Sequence, residues 1–242
     1  MVDEPKDEID FNILWNPKYK DKILMFDNSR DSFGISLITL NKSVNSINPD
    51  DWYKAAEHLK AQKNLVQAYV MDQIFDKMGN GEAAIAPYYS GNAALLMKSN
   101  PNIDFVIPKS GSTKFVDAMC IPASSKNKRE AEEYINFMCS TKIAKANIEY
   151  IGYSTPQKEV KQQLDPSISQ NKIYYPDNDV IESSEVFVNL PAEINSLSDS
   201  LWVDVKTGGE NNPVMLVIVI AAFLIFYVLI LLYKKKKSSK EI

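Results

Sequence analysis

An α/β fold built on a mostly parallel sheet is what this chain predicts, on three observations. Short runs rich in β-branched and aromatic residues alternate with longer stretches whose apolar positions fall at helical spacing. No internal repeat or low-complexity segment interrupts them. The chain has 242 residues, 45% hydrophobic and 24% charged, which is a globular composition with room for one large domain or two small ones.

The elements follow in order. Residues 13–27, ILWNPKYKDKILMFD, read as a loop and then a strand that buries Ile23, Leu24 and Met25. Residues 48–60 predict a helix: Asn48 is the N-cap, Pro49 takes N1, and Asp50 and Asp51 suit the positive end of the dipole. Residues 72–78 read as helical and stop at the turn Gly79-Asn80-Gly81. Residues 82–98 switch from strand to helix, with Ser90 or Asn92 available as cap. Residues 103–107 and 115–121 predict two strands separated by the turn KSGST. A helical pair follows at 128–139 and 141–151, closed by Gly152, each with an apolar face. In residues 191–206, Ile194, Leu197 and Leu201 share one helical face, and that helix ends near Gly208.

Parallel sheets of this kind meet ligands at the carboxyl ends of their strands. Asp27, Asp31, Tyr88, Tyr89 and Asp117 all fall at or beside such ends. The stretch FDNSRDSF, residues 26–33, sets Asp27 and Asp31 four residues apart between two aromatic rings. Locally that pattern fits an acid–base pair, a metal site, an ion pair with Arg30, or the wall of a cation pocket. A glycosidase-like pair would need two carboxylates facing one bond with separated pKa values. No nucleophile elbow, phosphate loop or metal triad accompanies it, so neither catalytic nor metal-ligating residues are assigned and no cofactor is implied. The expectation is a non-enzyme.

Charge narrows the partners. Residues 234–242, KKKKSSKEI, hold five Lys and one Glu; removing that local +4 from the formal −4 leaves −8 on residues 1–233. An acidic body repels nucleic acid and attracts cations. Cys120 and Cys139 lie in apolar contexts and read as buried thiols, although a disulfide is not excluded. His58, the single histidine, has no evident partner for catalysis or metal.

Residues 214–233 run for twenty residues without a charge or a proline. At 1.5 Å per residue they would span about 30 Å, a bilayer's hydrocarbon thickness. The expectation is therefore a single-pass protein of the cell membrane. The linker would be 208–213, the span 214–233, and the basic tail 234–242 cytoplasmic, with the body outside. The N-terminus has neither a basic n-region nor an apolar h-region, which leaves export of the body to a signal or polypeptide upstream.

Four motifs occur in a specific order: LWNPKYKDKILMFDNSRDSFG, then GEAAIAPYYSGNA, then IDFVIPKSGSTKFVDAMCIPASSKNKREAEEYINFM, then YIGYSTP. Together they resemble the spermidine/putrescine-binding proteins of polyamine ABC importers, from about residue 10 to 189. That resemblance implies a two-lobed periplasmic-binding-protein-like fold of type II with ligand in the cleft between lobes. It assigns residues 1–117 to the second lobe, 118–160 to the returning part of the first, and 161–207 to the second again. Most of the first lobe would be absent, as in the C-terminal part of a longer binding protein or a permease fusion.

By position, the resemblance places the ligand-binding residues at Asn28, Asp31, Tyr89, Phe115, Asp117, Tyr153 and Phe187. Asn28 stands where an Asp is usual and Phe187 where a Gln is usual; Tyr89 and Phe115 replace tryptophans. The implied partners are a polyamine, spermidine or putrescine, an ABC permease and, through it, an ATPase. A polyamine needs carboxylates for its ammonium groups and aromatic faces for its methylenes. Other readings are a membrane-anchored sensor or structural module that does not transport and, less favoured, a carboxylate-based hydrolase.

Overall fold

In the computed structural model, residues 2–208 are described, and the compact unit they build ends at Val205. After three short 3-10 turns, strand β1 (Ile23–Phe26) enters the centre of the body. Its four residues are all buried, so an uninterrupted apolar run replaces the alternation of a one-sided strand. Helix α1 (Ser29–Thr39) follows at once, and its residues Ser32 to Ile38 are buried. Its two buried hydroxyls find backbone acceptors: Ser32 Oγ donates to the Phe26 carbonyl at 2.8 Å and Ser36 Oγ to that of Ala55 at 2.9 Å. Helix α2 (Pro49–Gln62) packs across α1 and buries Trp52, Ala55, Ala56 and Leu59. Asn48 caps it as expected, accepting from the Asp50 amide at 3.1 Å.

Strand β2 (Val66–Val70) then pairs in parallel with β1, in the register Leu24 to Ala68 and Phe26 to Val70. On the other side of β1, Ile85 forms a single parallel bridge with Ile23. The expected parallel sheet is therefore present but short. Helices α3 (Gln73–Gly79) and α4 (Ser90–Ser99) flank the 80–89 connection.

The far part of the chain has less regular structure. Strand β3 (Thr113–Lys114) is two residues long. Helices α5 (Lys128–Cys139) and α6 (Thr141–Ile151) form the expected pair, ended by Gly152 at φ 77°. Helices α7 (Lys158–Gln163), α8 (Pro166–Ser169) and α9 (Asn178–Ser183) follow. Strand β4 (Glu185–Val186) pairs in parallel with β3, and α10 (Ala192–Thr207) closes the described chain. The main core joins β1, α1 and α2 to Ile194, Leu201 and Val205 of α10, while a small second cluster gathers Ala144, Ile148, Val160 and Leu164.

Several expectations are corrected. Residues 103–107 and 115–121 are not strands: among the described residues they have no ladder partner, and β-propensity without one does not make a sheet. Cys120 and Cys139 are exposed free thiols, because Cys120 lies in the unpaired 115–121 segment and α5 has no buried residue. The single-pass cell-membrane localisation is also corrected. Among the described residues no helix is long and apolar enough to cross a membrane. Even α10 has only 16 residues, roughly 24 Å, and carries Glu193, Asp199, Asp204 and Lys206. The run 214–233 and the tail after it lie outside the described residues.

Candidate functional site

The end of β1, the first turn of α1, the 87–92 turn, residues 112–119 and residues 147–157 line one cleft of about 1960 Å³. Small-ligand sites usually enclose about 300–1000 Å³, so this is an open trough rather than a closed pocket.

Its acidic end is Asp31. Asn28 sits at the N-cap of α1, where its Oδ1 accepts from the Asp31 amide at 3.1 Å. That cap fixes the first turn and aims the Asp31 carboxylate into the cleft, where Tyr89 Oη donates to Asp31 Oδ2 at 2.9 Å. Burial pushes the Asp31 carboxyl above the usual carboxylate range, while the Tyr89 hydrogen bond and the Arg30 charge pull the other way. Burial and the Asp31 charge together raise the Tyr89 hydroxyl.

From Asp31 a ladder of rings runs along the trough. Phe26 stacks on Tyr89 with centroids 5.2 Å apart; Tyr89 meets Phe115 edge-on at 5.7 Å, and Phe115 meets Tyr153 edge-on at 6.4 Å. All four rings line the cleft, where a ring face can meet a cation or a methylene chain. Tyr153 Oη donates to Asn92 Oδ1 at 3.3 Å, and its ring lies on the backbone of Gly91. Burial raises the Tyr153 hydroxyl, with help from the negative charge of Asp117. Asp117, exposed on the 115–121 segment, is thus another acid of the cleft, as is Asp177.

Of the residues expected at the site, the fold brings Asp31, Tyr89, Phe115, Asp117 and Tyr153 to one cleft, with Tyr88 beside them. Asn28 and Phe187 are not among its lining residues. Phe187 instead packs on the Arg30 guanidinium, 4.6 Å from ring centroid to Cζ, and against Gly34. Arg30 also lies 5.7 Å from the Trp52 ring, and it donates to the carbonyls of Val44 at 2.8 Å and Val188 at 3.2 Å. Asp27 is exposed, its amide bonded to the Val70 carbonyl at 3.1 Å, and does not line the cleft either.

Sequence reasoning missed Phe26, Asn92 and Arg30. The position of Phe26 directly before the acidic stretch could have signalled the first ring of the ladder. His58 lies elsewhere, stacked on Trp15 at 4.1 Å with Nδ1 near Ser36 and Thr39 hydroxyls, and burial lowers its pKa. Among the described residues, no group of three or more His, Cys, Asp or Glu could hold a metal ion.

Comparisons with known proteins identify the family. The family model described as bacterial extracellular solute-binding protein matches residues 5–184. The spermidine/putrescine-binding periplasmic protein of Escherichia coli K12 is 31% identical over 205 residues, which cover 85% of this chain and 59% of that protein. A structure titled as a putative spermidine/putrescine ABC transporter from Listeria monocytogenes superposes with a TM-score of 0.79 at 34% identity, covering 84% of this chain and 62% of that one. The spermidine/putrescine ABC transporter substrate-binding protein of Streptococcus pneumoniae gives 0.74 at 31%, covering 86% and 64%. The chain therefore spans about three-fifths of the length of the relatives it matches. The E. coli relative is named as periplasmic.

Proposed function

The chain belongs to the bacterial extracellular solute-binding protein family, and from that premise we propose that its cleft binds a polyamine, spermidine or putrescine, for delivery to an ABC permease and its ATPase. The observation that carries the reading is the desolvated Asp31 carboxylate at the head of the Phe26–Tyr89–Phe115–Tyr153 ladder, with Asp117 further along. A partly buried carboxylate held above its usual pKa lacks a full counter-charge, and an incoming ammonium supplies it. The rings then cover the methylenes between nitrogens and attract the cations by their faces. Asp117 takes the second ammonium group. Asn28 and Phe187 act behind the site, as the cap and the Arg30 clamp that hold the first turn of α1.

In this reading the described residues form the second lobe and the returning part of the first. The opposite wall of the cleft belongs to the remainder of the first lobe. The trough's volume and openness support that view, since a ligand held on one wall keeps much of its water. Exposed ion pairs contribute only about 0–1 kcal/mol each. The chain by itself is thus expected to bind spermidine weakly, in the millimolar range.

Titration of the full chain with spermidine, putrescine and the singly charged butylamine, followed by NMR shifts of Tyr89 and Tyr153, tests this. Saturable shifts are expected for the polyamines, at lower concentration than for butylamine, and are reduced in Asp31→Asn and Asp117→Asn. Equal behaviour of all three amines, or indifference to both substitutions, would end the proposal.

A further inference from the structure

The lining of the cleft is balanced in charge: it carries Asp31, Asp117 and Asp177 against Lys114, Lys161 and Lys172. Two of those lysines are engaged, Lys172 in an ion pair with Asp177 and Lys114 by donating to the Ile181 carbonyl. Lys161 meets no carboxylate among the described residues; its ammonium lies over the Tyr175 ring, 4.0 Å from the centroid. A cation without a counter-charge repels any ligand ammonium placed beside it. The groups around Lys161 are donors as well. The Thr155 amide donates to Tyr175 Oη at 3.2 Å, and the Gln157 amide to Thr155 Oγ1 at 3.2 Å. Both hydroxyl oxygens are thus used as acceptors, and neither hydroxyl hydrogen has an acceptor among the described residues. Packing holds this corner in place, since Tyr175 rests on the second core cluster, which also contains Val160 directly before Lys161. The corner adjoins the ring ladder, because Thr155 follows Tyr153 by two residues.

We propose that Lys161, Tyr175 and Thr155 form an anion subsite beyond Tyr153, so that the amine chain held in the cleft ends in a carboxylate. A terminal ammonium meets Asp31 and an inner ammonium meets Asp117. The carboxylate at the other end takes the Lys161 charge and the two hydroxyl hydrogens. One cation with two neutral donors balances a monoanion. A phosphate monoester, with close to two charges at neutral pH, would stay under-compensated there. The inference rests on the amine reading of Asp31 and Asp117 and adds a third charged contact to it.

The probes are spermidine and the spermidine analogue whose butyl arm ends in a carboxylate in place of its aminomethyl group. Each is titrated into the full chain at constant ionic strength, with the ring signals of Tyr89, Tyr153 and Tyr175 followed by NMR. The analogue is expected to saturate at about fivefold lower concentration than spermidine, the scale of one exposed ion pair. It should also move Tyr175, which spermidine leaves nearly unchanged. Lys161→Gln should erase the preference and Lys161→Glu should reverse it, while Tyr175→Phe should weaken the analogue alone. Lys161 is exposed, so circular dichroism should be the same in both of its variants as in the parent. Three results would overturn the anion subsite and leave the amine site standing: spermidine binding as tightly as the analogue, a preference that survives Lys161→Gln, or an unmoved Tyr175. Failure of both ligands to move Tyr89 and Tyr153 overturns the amine site and the anion subsite together.

Discussion

Tyr89 and Asp31, 58 residues apart in sequence, meet through a 2.9 Å hydrogen bond from the phenol to the carboxylate. The bond holds an acid that burial would otherwise push further from ionisation, so removing it acts on charge as well as on position. Tyr89→Phe is expected to weaken spermidine binding by about 1.5–3 kcal/mol, the usual cost of a hydrogen bond to a charged group. It should also move the acid limb of the binding profile to higher pH. Affinity measured from pH 4 to 8 in both proteins checks this; a change in affinity without the pH displacement would assign Tyr89 to packing alone.

Binding itself should weaken as pH falls. The ligand's amines stay protonated, so the titrating partner is Asp31, whose folded pKa lies above the ordinary carboxylate value. Protonation through that raised value removes the charge that pairs with an ammonium. In Asp31→Asn the affinity is expected to be lower at neutral pH and nearly flat across the same window.

Stability should respond in the opposite sense. Because the folded state raises the Asp31 pKa, it binds more protons than the unfolded chain between the ordinary and the raised values. Stability is therefore gained as pH falls through the raised value and is withheld at neutral pH. Asp31→Asn is expected to melt above the parent at pH 7, and the difference should vanish below the ordinary carboxylate range. Thermal melts at pH 3.5 and 7 decide it; a lower melting temperature at pH 7 would mean that the helix-end charge outweighs burial.

Gly91 has no room for a side chain. A Cβ there would sit 2.3 Å from the Tyr153 ring. Gly91→Ala is expected to cost about 1–3 kcal/mol by overpacking and to displace Tyr153 from the ladder. Urea titrations of Gly91→Ala, Tyr153→Leu and the double variant should be strongly non-additive, and simple additivity would place the strain elsewhere.

Arg30 ties α1 to the 44–45 loop and to Val188, and it lies near the rings of Trp52 and Phe187. Arg30→Ala is expected to destabilise the fold by about 2–3 kcal/mol, from lost charged hydrogen bonds and a part-buried Val44 carbonyl left unpaired. Arg30→Lys should recover little of it, because one ammonium cannot reach all three acceptors at once. Hydrogen exchange should show the 185–188 amides opening faster in both variants.

Local chemistry made much of this protein legible. The Asn48–Pro49 start of α2, the Gly152 stop after α6, the buried ILMF strand and the apolar face of α10 all follow from contacts within a few residues. Motif order likewise pointed to a solute-binding protein and to the five residues that line the cleft. Three things depended on distant partners. Phe187 lies off the cleft lining, with its ring against the Arg30 guanidinium from 157 positions earlier. The 115–121 segment stayed irregular because a strand is completed only by a neighbour, and none lies beside it among the described residues. The pKa of Asp31 was decided by burial and by Tyr89, neither of which a local sequence window contains. Caps and turns are short-range and can be read from sequence, whereas strand pairing, ring stacking and desolvation are set by what the folded chain brings near.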